Sequence, residues 1–200
     1  MARLYIFIFL IGALIFSILI REKVFPRYMF MELLGGLTAM GCVWKYGLNL
    51  QSAVLFAFFA MLTVVSIVDL ETMEIPNGFV IVVLVVGVVS IFAFPEISLI
   101  QRIIGLVAVS GPLLIITLIV PGAFGGGDIK LMAAGGVFLG WKISLIALFL
   151  AILIGGAYGI YLLATRKKGK KGYFAFGPFL CLGMAIAFLW GEQLLSWYLS

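Results

Sequence analysis

Asp69 and Asp128 are the only aspartates in the 200-residue sequence, and each lies where a long apolar run gives way to turn-like sequence. A carboxylate at the edge of such a run is costly to keep, so it marks a candidate functional site. Two carboxyl groups a few ångströms apart share a proton and can hold a water molecule between them. One can then accept a proton from the water while the other donates one, which is general acid–base hydrolysis.

Other kinds of catalytic or metal site are restricted by the residue inventory. The sequence has no histidine, and Cys42 and Cys181 lie in separate apolar segments without C-x-x-C spacing. These counts exclude the usual Cys/His zinc sites, Ser-His-Asp or Cys-His catalysis, and histidine general bases. We therefore expect no metal and no cofactor, and we expect carboxylates to carry any acid–base chemistry.

The first aspartate segment ends an apolar run and continues as D-L-E-T-M-E-I-P-N from Asp69 to Asn77. Pro76 and Asn77 favour a turn followed by the start of a helix, with the asparagine as the capping residue. We expect Glu71 and Glu74 to form a solvated turn. Asp69 is therefore the catalytic candidate of this segment.

The second aspartate, Asp128, follows Gly125, Gly126 and Gly127 and precedes Lys130. Glycines leave room for another backbone, such as a substrate strand, to approach the carboxylate. The phosphate-binding pattern G-x-x-x-x-G-K-[ST] is missing, which argues against a nucleotide loop. From the residues alone a purely structural alternative stays open, in which the glycines form a tight helix contact and Asp128 caps a helix. Lys130 pairs with an acid, orients a substrate, or anchors the chain at the membrane surface.

The composition indicates an all-α, polytopic membrane protein, because 65% of the residues are hydrophobic and only 10% are charged. Runs of about 20 apolar residues cross a bilayer as helices, since lipid offers the backbone no hydrogen-bond partner. We predict eight membrane segments, with six as the alternative, in one domain of residues 1–200. The segments are 3–20, 29–45, 51–69, 78–94, 99–120, 129–140, 143–164 and 174–198. The sixth is too short to cross alone, unless the bilayer thins or it forms a hairpin with the seventh.

Basic residues concentrate in the loops 21–27 and 166–171, and basic loops face the cytoplasm. Eight crossings would place both loops and both aspartates on the cytoplasmic side. Orientation alone therefore accounts for the net charge of +5, and we expect no nucleic-acid partner. The second loop can also contact anionic lipid headgroups. We expect the first segment to be a retained anchor, because it lacks a small-residue cleavage site.

Four motifs, in order along the chain, resemble those of the type IV prepilin peptidases, which are membrane aspartic proteases with a Gly-x-Gly-Asp motif. The motifs are Tyr28–Leu34, Asp69 with Ile75–Asn77, Gly125–Lys130 with the following residues 131–141, and Phe176–Leu180. The resemblance covers most of residues 1–198. It implies that Asp69 and Asp128 form the catalytic pair and that the three glycines and Lys130 support the active-site loop.

The resemblance also implies a substrate, a location and a limit to the activity. The expected substrate is a prepilin or pseudopilin whose apolar helix lies in the inner membrane and whose basic leader is removed at the cytoplasmic face. Bifunctional members carry a large cysteine-containing insert after the first span, where this chain has only residues 21–28. We therefore expect peptidase activity without N-methyltransferase activity.

Two other functions are compatible with the two aspartates, and helix ends suggest which aspartate is the acid and which is the base. A transporter or ion pathway could use the same two carboxylates, and a non-catalytic assembly component would need neither. Helix ends suggest that Asp128, at the start of a helix, is the ionised base. By the same argument Asp69, at the end of a helix, is the protonated acid.

Overall fold

The computed structural model describes residues 40–165 and 174–199, which are helical with short connections and contain no strand. The helices are α1 (Leu50–Thr72), α2 (Asn77–Ala93), α3 (Leu99–Ala108), α4 (Ser110–Ile119), α5 (Gly126–Ala164) and α6 (Gly177–Leu199). The all-α class is thus confirmed for the described part of the chain.

Several predicted features lie outside the described residues. They are the segment 3–20, most of the segment 29–45, the motif 28–34, and the loops 21–28 and 166–171. The predicted orientation depends on the two basic loops, so it stays a prediction.

Four stretches of the described chain are long and apolar enough to cross a membrane. They are Leu50–Thr72, Leu99–Ile119, Gly126–Leu162 and Gly177–Tyr198. Helix α2 is also apolar but shorter, with 17 residues. The protein is therefore a multi-pass membrane protein, while the predicted total of eight or six membrane helices is not confirmed.

Helix α5 is interrupted at Gly140, where φ is 72° and ψ is 168°. Glycine reaches this positive φ without the steric cost that a Cβ atom would impose. Roughly 14 residues precede the break, or about 21 Å of helix, against a hydrocarbon core of about 30 Å. The interruption lies at the predicted boundary between the sixth and seventh segments, so α5 consists of two helical parts that meet at a kink.

Two compact units divide the chain, residues 1–60 and 61–200. The end of α1 and all of α2 to α6 belong to the second unit, which contains both aspartates. The prediction of a single domain over residues 1–200 stays a prediction.

Helix α5 is the central helix of the second unit and packs against α2, α3 and α6. Small residues permit the close approach: a Cβ atom on Gly105 of α3 would overlap the carbonyl of Gly136 on α5. A Cβ atom on Gly183 of α6 would likewise overlap the carbonyl of Ala147. Such contacts are typical of membrane helices, where packing rather than water exclusion drives association.

A buried cation, Arg102 of α3, holds the far end of α2 and the end of the first part of α5. Only 1% of its surface is exposed. Its guanidinium donates to the carbonyls of Ile97 at 3.1 Å, Val137 at 3.0 Å, Ser90 at 3.1 Å and Phe94 at 2.8 Å, and to Ser90 Oγ at 2.6 Å. The carbonyls of Ser90, Phe94 and Val137 lie at or near the ends of α2 and of the first part of α5, where the negative end of the helix dipole favours a cation.

Candidate active site

Asp69 lies one turn before the end of α1 and is only 5% exposed. Its Oδ2 atom accepts a hydrogen bond of 2.9 Å from the backbone N–H of Gly177. Gly177 is the first residue of α6, so this N–H has no partner inside its own helix. Asp69 therefore lies at the end of one helix and contacts the start of another.

The turn after Asp69 is sharp. Met73 donates its N–H to the carbonyl of Asp69 at 2.8 Å and has a positive φ of 56°. Thr72 Oγ1 donates to the carbonyls of Val68 and Glu74. These bonds end α1 and form the turn that leads to α2.

Asp128 lies in the first turn of α5 and is 8% exposed. The helix begins at Gly126, so Asp128 lies inside the helix. The alternative prediction that Asp128 is the N-cap residue is therefore wrong. A Cβ atom on Gly125 would lie 2.9 Å from Asp128 Oδ2, and the carboxyl group also has a hydrogen bond to the Gly125 backbone. The missing side chain at Gly125 thus leaves room for the carboxyl group.

The two carboxyl groups are close enough to repel each other electrostatically. The buried thiol of Cys181 on α6 interacts electrostatically with both of them. The fold therefore brings together the two residues that the sequence singled out, from helices that are far apart in the chain. Their catalytic role stays a prediction at this point.

Ile75 links the two aspartate motifs through packing. A Cβ atom on Gly127, next to Asp128, would lie 2.8 Å from the Ile75 Cβ atom. A Cβ atom on Gly177 would lie 3.2 Å from Ile75 Cδ1 and 2.6 Å from Asp69 Oδ2. Ile75 and Gly177 are parts of motifs in the sequence without a predicted role of their own, because only the fold shows that they meet.

The remaining predicted support residues, Gly126 and Lys130, do not contact the carboxyl pair in the way that Gly125 does. Gly126 has no heavy atom within 4 Å of the position that a Cβ atom would take, unlike the glycines on either side. Lys130 is exposed and donates from Nζ to Asn77 Oδ1 at 3.0 Å. Asn77 is the first residue of α2 after the N-cap Pro76, and there is no side-chain cap. The prediction of Asn77 as a cap is therefore wrong; its side chain joins α2 to α5.

Aromatic rings border the site. The rings of Phe124 and Phe176 have centroids 6.1 Å apart. Phe124 precedes the glycine beside Asp128, and Phe176 precedes the glycine that binds Asp69. A half-buried apolar wall next to a carboxyl pair weakens solvent screening, which strengthens the interaction between the two groups.

Comparison with known proteins extends these findings. The model of the type IV leader peptidase family matches residues 56–160, a range that includes Asp69 and Asp128. The prepilin leader peptidase/N-methyltransferase of Bacillus subtilis (strain 168) is 32% identical over 156 residues, or 78% of this chain and 63% of the relative. Those of Aeromonas hydrophila and Legionella pneumophila are 32% and 29% identical, each over 87% of this chain and 62% of the relative. The chain thus spans less than two thirds of the length of these relatives. No solved structure matches it.

Proposed function

The chain belongs to the type IV leader peptidase family, and we propose that it is an aspartic endopeptidase that removes the basic leader from prepilin or pseudopilin substrates. One observation carries the proposal: Asp69 and Asp128 come from different helices and are both buried and electrostatically coupled. A water molecule held between such a pair is positioned to attack a peptide carbonyl. Family membership does not favour the alternative of a transporter or ion pathway.

The reaction follows from the pair. One aspartate, as the carboxylate, accepts a proton from the water while the water oxygen forms a bond to the scissile carbonyl carbon. The other, as the carboxylic acid, donates its proton to the carbonyl oxygen. In the collapse of the tetrahedral intermediate the C–N bond breaks, and the leaving nitrogen takes the proton that the first aspartate received from the water. A hydroxyl group of the intermediate returns a proton to the second aspartate, so the pair regains its starting state. The products are the leader with a new carboxyl end and the mature protein with a new amino end.

The proposed setting is the cytoplasmic face of the inner membrane. Two sequence features support it: the basic loops 21–27 and 166–171, and the apolar runs between them. An apolar substrate helix can lie in the bilayer against the exposed apolar faces of the enzyme while its leader remains in water. The scissile bond then lies at the boundary, next to the ends of α1 and the starts of α5 and α6.

We also propose that this chain lacks N-methyltransferase activity. The relatives named as bifunctional carry both functions in their names. Between the first two apolar runs this chain has only the residues 21–28, which are too few to form a further catalytic domain. Methylation of the new amino end would then require another protein.

The test is leader cleavage in lipid vesicles. The purified protein is reconstituted with a prepilin that carries a basic leader, and the new amino end is identified by mass spectrometry. We expect cleavage by the wild type and a loss of at least about 1,000-fold in Asp69→Asn and Asp128→Asn. The matched control is Glu192→Gln, which removes an exposed carboxylate from α6.

Two results would overturn the proposal. One is retention of cleavage in both aspartate variants, which would point to a non-catalytic role for the pair. The other is ion or solute flux through wild-type vesicles that the aspartate variants lose, without any cleavage by the wild type. That second result would favour a transporter.

A further inference from the structure

The environment of Asp69 contains an apparent contradiction. The residue lies one turn before the end of α1, where the carbonyls and the dipole of that helix disfavour negative charge. It is also buried, which disfavours charge further. A catalytic pair nevertheless needs one carboxylate, and an aspartate that could never hold the charge would be confined to one role.

The start of α6 resolves the contradiction. The N–H of Gly177 points at Asp69 Oδ2 at a distance of 2.9 Å, and it is the first N–H of the helix. A hydrogen bond from an amide to a carboxylate is stronger than one between neutral groups. The positive end of the α6 dipole acts in the same direction and offsets the negative end of α1.

We propose that Gly177 is a positioning residue of the active site, whose backbone N–H orients the Asp69 carboxyl group and allows it to hold negative charge. This inference rests on the proposed function and deepens it. Asp128 already lies in the first turn of α5. Two helix starts, those of α5 and α6, therefore converge on the pair and stabilise its single negative charge, whichever oxygen carries it.

The residue must be glycine for steric reasons. A Cβ atom at position 177 would lie 2.6 Å from Asp69 Oδ2 and 3.0 Å from its carboxyl carbon. Any side chain would therefore push the carboxyl group away from the amide that holds it. Glycine alone permits both the close approach of α1 and α6 and the hydrogen bond between them.

The titratable groups around Asp69 are acidic, and they influence how easily it ionises. Asp128 on α5 repels it, and the thiol of Cys181 on α6 interacts with it. Glu71 and Glu74 follow in the same segment and are exposed. With these acidic neighbours, the amide of Gly177 is a donor that the pair needs if it is to hold its charge.

The sharpest test removes the N–H without adding atoms. Cell-free translation with glycolic acid in place of Gly177 yields an ester at that position. We expect kcat for prepilin cleavage to fall about 10- to 100-fold with KM within about twofold, since a hydrogen bond to a charged group is lost. The acidic limb of the profile of kcat/KM against pH should move to higher pH by about one unit, because the monoanion of the pair becomes harder to form.

A matched ester controls for the chemistry itself. An ester also weakens the preceding carbonyl as an acceptor, so the same replacement is made at Gly78, in the first turn of α2, where nothing lies within 4 Å of a Cβ atom. We expect that ester to leave the pH profile unchanged. Gly177→Ala keeps the N–H but displaces the carboxyl group, and should lose activity, whereas Gly156→Ala on α5 adds its methyl group to open space and should not.

Infrared difference spectra with isotope-labelled aspartate provide a readout that needs no substrate. In the Gly177 ester, the carboxylate signal of the pair should vanish at a higher pH than in the wild type. An unchanged spectrum and pH profile in a folded ester protein would overturn the inference, whether or not activity fell. If the wild type cleaved no prepilin, the proposed function would fail, while the spectra would still decide the role of Gly177.

Discussion

The two ends of the second unit hold buried charge in opposite ways. At one end, the starts of α5 and α6 meet the anionic pair Asp69 and Asp128. At the other, the end of α2 and the end of the first part of α5 meet the cation Arg102. Each charge therefore has helix termini of the opposite sign beside it, which is favourable, although Asp69 also lies near the negative end of α1.

The difference lies in how completely each charge is satisfied. All three nitrogens of Arg102 donate to protein acceptors, and Glu96 adds electrostatic attraction. Around it, the rings of Phe94, Phe138 and Phe188 pack with centroids 5.5 to 5.8 Å apart. The aspartates instead repel each other and border exposed glycines. A fully paired buried charge stabilises the structure. Two buried acidic groups held next to each other instead have perturbed protonation, which is typical of catalytic sites.

The largest expected effect separates catalysis from stability at the aspartate end. Asp128→Asn should reduce leader cleavage at least about 1,000-fold but change the free energy of unfolding by less than about 1 kcal/mol, because it removes a repulsion. Cleavage assays and thermal unfolding in detergent measure the two quantities. A fall in stability as large as that of an Arg102 variant would erase the distinction between the two ends.

The opposite pattern is expected at the cation end. Arg102→Met should lower the free energy of unfolding by about 3–5 kcal/mol, because it removes all the hydrogen bonds that the buried guanidinium donates to α2, α5 and the turn before α3. Arg102→Lys keeps the charge but has fewer donors, so it should lose less. Activity per folded molecule should remain near that of the wild type, as measured after normalising for the folded fraction. Loss of activity in a fully folded variant would contradict a purely structural role.

The three glycines before Asp128 should differ in effect. Gly125→Ala places a methyl group 2.9 Å from Asp128 Oδ2, and Gly127→Ala places one 2.8 Å from the Ile75 Cβ atom. Each should lower kcat about 10- to 100-fold through misplacement of the pair. Gly126→Ala meets open space and should lose less than about threefold, since only conformational freedom changes. Equal losses at all three positions in the cleavage assay would show that packing is not the cause.

The smallest effect is expected at Lys130. Its bond to Asn77 is exposed, so Lys130→Met should change kcat/KM by only about twofold. Asn77→Ala removes the other partner and should have the same effect, and the double variant should be no worse than either single one. A loss above tenfold in Lys130→Met alone would indicate direct contact with the substrate.

Local signals in the sequence predicted much of the fold. The ends of α1, α2 and α6 lie within a few residues of the predicted segments, because apolar runs of membrane length form helices wherever lipid surrounds them. The break at Gly140 coincides with the predicted boundary between the segments 129–140 and 143–164. The two aspartates stand out in the sequence because acidic residues are rare at the ends of membrane-length apolar runs unless they have a function.

Other features escaped because their partners are distant. Arg102 was an ionisable residue inside a predicted span, a signal that was present in the sequence but not used. Nothing in the sequence around Asn77 reveals that its amide binds a lysine rather than capping α2. The assignment of Asp69 as the protonated acid considered only the end of its own helix, and the contact with Gly177 removes that reason.

By itself, the sequence determined the helical class, the membrane environment and the identity of the two acidic residues. These follow from apolar run length and from backbone hydrogen bonding within each segment, which are local properties. Only the tertiary structure decided that Asp69 meets the start of α6, 108 residues away, and that Arg102 meets the end of the first part of α5, 35 residues away. Such contacts depend on how the glycine-lined helices pack together, and the local pattern of residues within each segment does not reveal that packing.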